Sequence, residues 1–140
     1  ITEITIPAYT TQAADEELQA EILTRLYKLW FSHPKIEAII YWNMVDGYAA
    51  YAPQGSEEGE NYYHGGLLRY DFTKKPAYDA LYHLIHEEWH TVIDGLAAKG
   101  EYTFKGFYGD YELEATVNGK VLPLKFTLSP NDEAEKTFVV

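Results

Sequence analysis

Cysteine is absent from the 140 residues, which excludes disulfides and thiolate metal sites and leaves the redox compartment open. No run approaches the roughly 20 apolar residues that cross a bilayer, and no basic-then-apolar leader stands at Ile1. A soluble protein that does not engage a membrane is expected. Basic side chains are also scarce, with 11 Lys and Arg against 22 Asp and Glu and a formal charge of -11. Repulsion from that excess opposes encounter with a phosphate backbone or an anionic lipid surface, so nucleic acid is not an expected partner.

Aromatic residues are abundant, at 16% with 13 Tyr and 3 Trp. Such flat amphipathic rings stack on sugar faces, and they also pack well in β-structure. Hydrophobic content of 46% places the chain among ordinary globular proteins, with enough material for a core.

Residues 1–7 alternate with period two, with Thr2, Ile4 and Ile6 on one face and Ile1, Glu3 and Thr5 on the other, which predicts a strand ended by Pro7. Opening directly on strand-like sequence is expected of a fragment whose natural start lies upstream. Asp15, Glu16 and Glu17 suit a helix first turn, and Leu18, Ile22, Leu26, Leu29 and Trp30 recur at helical spacing until His33-Pro34. The apolar run 36–42 reads as a strand covered on both faces. A long Gly-, Tyr- and acid-rich loop region follows over 43–71, of the kind that is usually functional. Pro76 opens a second helix with Ala77, Ala80, Leu81, Leu84, Ile85 and Trp89 as its apolar stripe. From residue 91 the period changes to two: Tyr102 and Phe104, then Tyr111, Leu113, Ala115 and Val117, then Leu122, Leu124, Phe126 and Leu128, then 138–140. Asn118-Gly119 marks a hairpin between two of these runs.

Several of these stretches, taken in order, resemble the last quarter of glycoside hydrolase family 10, the retaining xylanases. They are Ile1-Thr2-Glu3-Ile4-Thr5, Gln19-Ala20, Ile40-Tyr41-Trp42-Asn43-Met44-Val45-Asp46-Gly47, Gly66-Leu67-Leu68 and Lys75-Pro76-Ala77-Tyr78. The resemblance implies an α/β fold in which residues 1–90 are the last two β/α units of a partial (β/α)8 barrel. Phe104-Lys105-Gly106-Phe107-Tyr108-Gly109-Asp110-Tyr111 resembles a small antiparallel β-sandwich-like domain appended to some bacterial members, which assigns 91–140 to an accessory domain.

By the same resemblance Glu3 is the catalytic nucleophile, and Trp42, Asn43, Asp46, Tyr48, Tyr62 and Tyr63 hold the substrate, a xylan-like β-1,4-linked polysaccharide. Two departures stand out: Asn43 replaces a common Gly, and Ala50 replaces a second Trp, so Tyr48, Tyr51, Tyr62 or Tyr63 would supply the missing sugar-facing ring. Retaining hydrolysis needs two carboxyl groups about 5 to 5.5 Å apart, one attacking the anomeric carbon and one protonating the leaving oxygen. The family's acid lies on a strand absent here, and Glu16, Glu17 and Glu21 on an outer helix do not replace it. The chain alone is therefore expected to be inactive, and to associate with a missing N-terminal barrel portion or with itself. No cofactor is implied, and the family implies an extracellular or cell-surface location.

Two other function classes fit the residues. The aromatic loop and the β-unit would also suit non-catalytic carbohydrate binding. His86-Glu87-Glu88-Trp89-His90 fits the helical zinc motif of metallohydrolases, with His83 nearby. No third ligand motif follows it, and burial through Trp89 would leave these imidazoles on the solvated side, so no metal site is assigned.

Overall fold

Residues 1–130 and 137–138 are described by a computed structural model of the chain. Helix α1 spans Ala13–Phe31, with Asp15 and Glu16 in its first turn and Lys28 in its last, the charge order that complements the helix dipole. Its buried face is Glu16, Gln19, Ala20, Leu23 and Tyr27. Most of the stripe expected from apolar spacing faces outward instead: Leu18, Ile22 and Leu29 are exposed, while Leu26 and Trp30 are half-buried. The reason is polar. Gln19 Nε2 donates to the carbonyls of Ile6 at 2.7 Å and Gly66 at 3.3 Å. Glu16 receives both arms of Arg69, Nε at 3.0 Å and Nη2 at 2.5 Å. These buried polar contacts thus fix which side of α1 turns inward, although Gln19 Oε1 has no hydrogen-bond partner among the described residues.

Helix α2, Pro76–His83, begins with proline at its first position, where the missing N–H costs nothing. It packs on α1 and continues into a single π-helical turn, Leu84–Glu88. Ala77, Leu81 and Leu84 are buried there, while Ile85 is exposed. Lys28 Nζ reaches Glu88 Oε2 at 2.9 Å between the two helices.

The partial (β/α)8 barrel is not what the chain forms. Segments 1–6 and 36–42 are extended and run parallel, but one bridge, Ile4 with Tyr41, joins them. Trp42 N–H donates to the Ile4 carbonyl at 2.8 Å and Ile40 N–H to that of Ile1 at 3.0 Å. A parallel sheet needs pairing on both edges and cover on both faces. Here one side is covered, with Ile6 buried, while Ile1, Ile40 and Trp42 on the other are exposed. Among the described residues, the elements of the whole chain are two α-helices, short 3₁₀ and π turns, and one two-stranded antiparallel sheet, a small mixed α and β architecture.

The chain divides into two compact units, Ile1–Glu88 and Trp89–Val140. In the second, β1 (Gly109–Val117) pairs antiparallel with β2 (Lys120–Leu128) through Asn118-Gly119. Both turn residues have positive φ, 50° and 77°, as a two-residue hairpin turn requires. Tyr111 stacks on Phe126 at 5.2 Å and 6°. Leu113 faces Leu124 across the ladder, and Glu112 pairs with Lys125 on the opposite face. Among the described residues the expected β-sandwich-like domain is corrected to this single hairpin. Tyr102 and Phe104 join no strand, because the chain reverses at the Ala98 to Glu101 bridge through Lys99 and Gly100, both at positive φ. Phe138 lies 4.8 Å from Phe126, whereas Val139 and Val140, read as strand-forming, are outside the described residues.

Candidate functional site

The loop region after residue 42 is held by one buried ion pair. Lys75 is fully buried and Asp46 is 8% exposed. Lys75 Nζ donates to Asp46 Oδ2 at 3.0 Å and to the His64 carbonyl at 2.7 Å. Asp46 Oδ1 accepts the Gly66 N–H at 2.7 Å, so both carboxylate oxygens are occupied. Gly66 is required by close approach, since a Cβ there would lie 2.5 Å from Asp46 N and 2.8 Å from Asp46 Oδ1. Backbone bonds from Leu67 and Leu68 to Met44, and from Asp46 to Leu68, close the same frame. Asp46, expected from the resemblance to hold substrate, holds the loop through these bonds.

Tyr41 anchors the other side. Its hydroxyl donates to the Gly65 carbonyl at 2.7 Å. Burial pushes its pKa up to about 12, against smaller opposing effects from its hydrogen bonds to Ile6 and Gln19. Asn61, 4% exposed, accepts from Ala49 N–H at 2.8 Å and donates to the Pro53 carbonyl at 3.2 Å. That side chain pins a short 3₁₀ segment, Gly59–Tyr63, whose flanking residues reach the surface.

Side chains on successive residues of an extended segment point to opposite faces. Ile4 and Tyr41 are bridge partners and half-buried, so their neighbours Glu3 and Trp42 turn together to the outer side, where both are exposed. Thr5 joins that edge through Oγ1, which donates to the Trp42 carbonyl at 3.0 Å. Among the described residues the Glu3 carboxylate has no hydrogen-bond or ion-pair partner. Trp42, 39% exposed, donates its indole Nε1–H to Glu60 Oε2 at 2.8 Å. Asn43 Nδ2 donates to the same oxygen at 2.9 Å. Asn43 sits at φ 66°, a left-handed conformation that a short amide side chain tolerates better than most.

The tyrosines divide into two groups. Tyr48 stacks on Tyr70 at 5.4 Å and meets Phe72 at 5.5 Å. Tyr62 and Tyr63 form an edge-on pair at 5.8 Å, with Tyr9 beyond Tyr63 at 6.2 Å. Tyr51 is wholly exposed. His64 Nε2 lies 3.2 Å from Glu57 Oε2. Sequence reasoning does not reach Glu60 or Lys75 as site residues. In the sequence Glu60 is one acid among several in a loop, and its partners are 17 and 18 positions away.

The imidazoles of the zinc-like motif that lie in unit 1 are engaged locally. His83 Nδ1 is 2.7 Å from Glu87 Oε2, His86 lies against the Tyr82 ring at 4.5 Å, and His90 falls beyond the π-helical turn. Among the described residues no group of three or more His, Asp or Glu side chains is arranged to hold a metal. No helix among them is long and apolar enough to cross a membrane.

No family model matches the chain. A curated relative, anti-sigma-I factor RsgI6 of Acetivibrio thermocellus, is 30% identical over 118 residues. That match covers 84% of this chain and 14% of the relative, so the chain spans about one seventh of the protein it is similar to.

Proposed function

We propose that this chain is the nucleophile-bearing part of a retaining glycoside hydrolase of the family 10 kind, acting on xylan or a related plant β-glycan outside the cell or at its surface. The observation that carries the reading is the shared outer face of Glu3 and Trp42: an exposed, unpartnered carboxylate on the same side as an exposed indole whose edge is tied down. A carboxylate free of partners is available to attack an anomeric carbon, and a fixed indole face suits the apolar side of a sugar ring. Glu3 would be the nucleophile, Trp42 and Asn43 the floor beside it, and Tyr48, Tyr62 and Tyr63 outlying contacts.

The acid that protonates the leaving oxygen comes from a partner segment or a second copy. The exposed apolar side chains of α1, Leu18, Ile22 and Leu29, support association of this kind. Retardation in a gel containing soluble xylan, together with reducing-sugar assays, tests the reading. Wild type is expected to be retarded and to release no sugar alone, and mobility unaffected by xylan would contradict it.

A second reading is favoured by the likeness to an anti-sigma factor: a glycan-recognising segment of a regulatory protein in which no bond is broken. Retardation in xylan, with no turnover even when an acid-bearing partner is supplied, would favour it.

A further inference from the structure

Resting on the glycan reading above, we infer that Glu60 is a glycan-binding residue that also positions Trp42, with a neutral pyranose bearing vicinal hydroxyls as its ligand. A single oxygen, Oε2, accepts the Trp42 indole N–H at 2.8 Å and the Asn43 amide at 2.9 Å. The other oxygen, Oε1, has no partner among the described residues. A carboxylate in this state offers a charge-assisted acceptor to a sugar hydroxyl at the edge of the ring on which that sugar would stack.

The clamp joins two separate stretches of chain, each independently anchored. On one side, the Trp42 N–H is bonded to the Ile4 carbonyl at 2.8 Å. On the other, Glu60 precedes Asn61, whose buried amide is bonded to Ala49 and Pro53. An exposed indole that is free to rotate loses side-chain entropy when a ligand stacks on it. The bond to Glu60 removes that freedom beforehand, and Asn43, bonded to the same oxygen, limits how far the carboxylate can swing.

The test is titration of the ¹⁵N-labelled 140-residue chain with xylohexaose, comparing wild type with Glu60→Ala and Glu60→Gln, and using Trp42→Phe to assign the indole resonance. Glu60→Ala is expected to move the Trp42 indole N–H resonance upfield in the free protein and to weaken xylohexaose binding about tenfold. Glu60→Gln keeps a carbonyl acceptor and is expected to restore most of both. Unchanged affinity in Glu60→Ala, with wild type binding normally, overturns the inference. Absence of binding by wild type overturns the glycan reading instead. In that case the indole resonance still reports on the clamp, and an unshifted resonance in Glu60→Ala would overturn the positioning role as well.

Discussion

Lys75 and Asp46 show how one buried pair substitutes for regular structure in a loop region. With Lys75 fully buried and Asp46 nearly so, removing either partner strands an uncompensated charge, which costs about 3 to 5 kcal/mol. Asp46→Ala is therefore expected to lower the denaturation midpoint sharply, and Asp46→Leu combined with Lys75→Met to lower it much less. Equilibrium urea unfolding of the three chains measures this. Tyr41 gives a pH-dependent counterpart. Its folded pKa is raised from 10.0 to about 12, so the unfolded chain loses that proton first as pH climbs. The resulting stability is fully present below pH 10 and is lost as pH rises through about 12. Tyr41→Phe should flatten this alkaline loss of stability, read as melting temperature against pH. None of this is legible in the sequence: Asp46 stands out there through a family resemblance, but its bond to a lysine 29 residues away leaves no mark in local spacing.

Among the elements, the most legible are those whose signals are local. The acidic first turn and His33-Pro34 bracket α1, Pro76 opens α2, and Asn118-Gly119 makes the hairpin turn. Gly119 has φ 77°, and a methyl group on its Cα would meet nothing within 4 Å, so Gly119→Ala carries only a conformational cost, about 1 to 2 kcal/mol. Loss of cross-strand amide protection in unit 2 by hydrogen exchange checks this. The buried face of α1 is only partly legible, because hydrophobic spacing points to Leu18, Ile22, Leu26, Leu29 and Trp30 while Gln19 and Glu16 find partners 47 and 53 residues away. The two segments expected as parallel strands, 1–6 and 36–42, also differ from expectation. Their apolar pattern implies neighbours on both sides, and among the described residues of this unit no neighbouring strand pairs with them. The His-rich turn after α2 leads to a further expectation. Since His83 is paired with Glu87 and His86 lies against Tyr82, zinc at micromolar concentration should leave the melting temperature unchanged, and a rise of several degrees would contradict that geometry.

At the scale of the whole molecule, unit 1 has a covered side, built from α1, α2 and the Asp46 frame, and an uncovered side carrying Glu3, Ile40 and Trp42. That exposed side is where the proposed chemistry lies, and it can be tested with a substrate that needs no protonating acid. A 2-fluoro xylobioside with a dinitrophenolate leaving group departs without protonation, so attack by a carboxylate on the anomeric carbon suffices to form a stable glycosyl-enzyme. The measurement is intact mass and peptide mapping of the chain after incubation with that reagent, beside Glu3→Gln. One fluoroxylobiosyl group on the peptide containing Glu3, absent from Glu3→Gln, is the expected result. No adduct on wild type, or an equal adduct on Glu3→Gln, would contradict the assignment of Glu3 as the nucleophile.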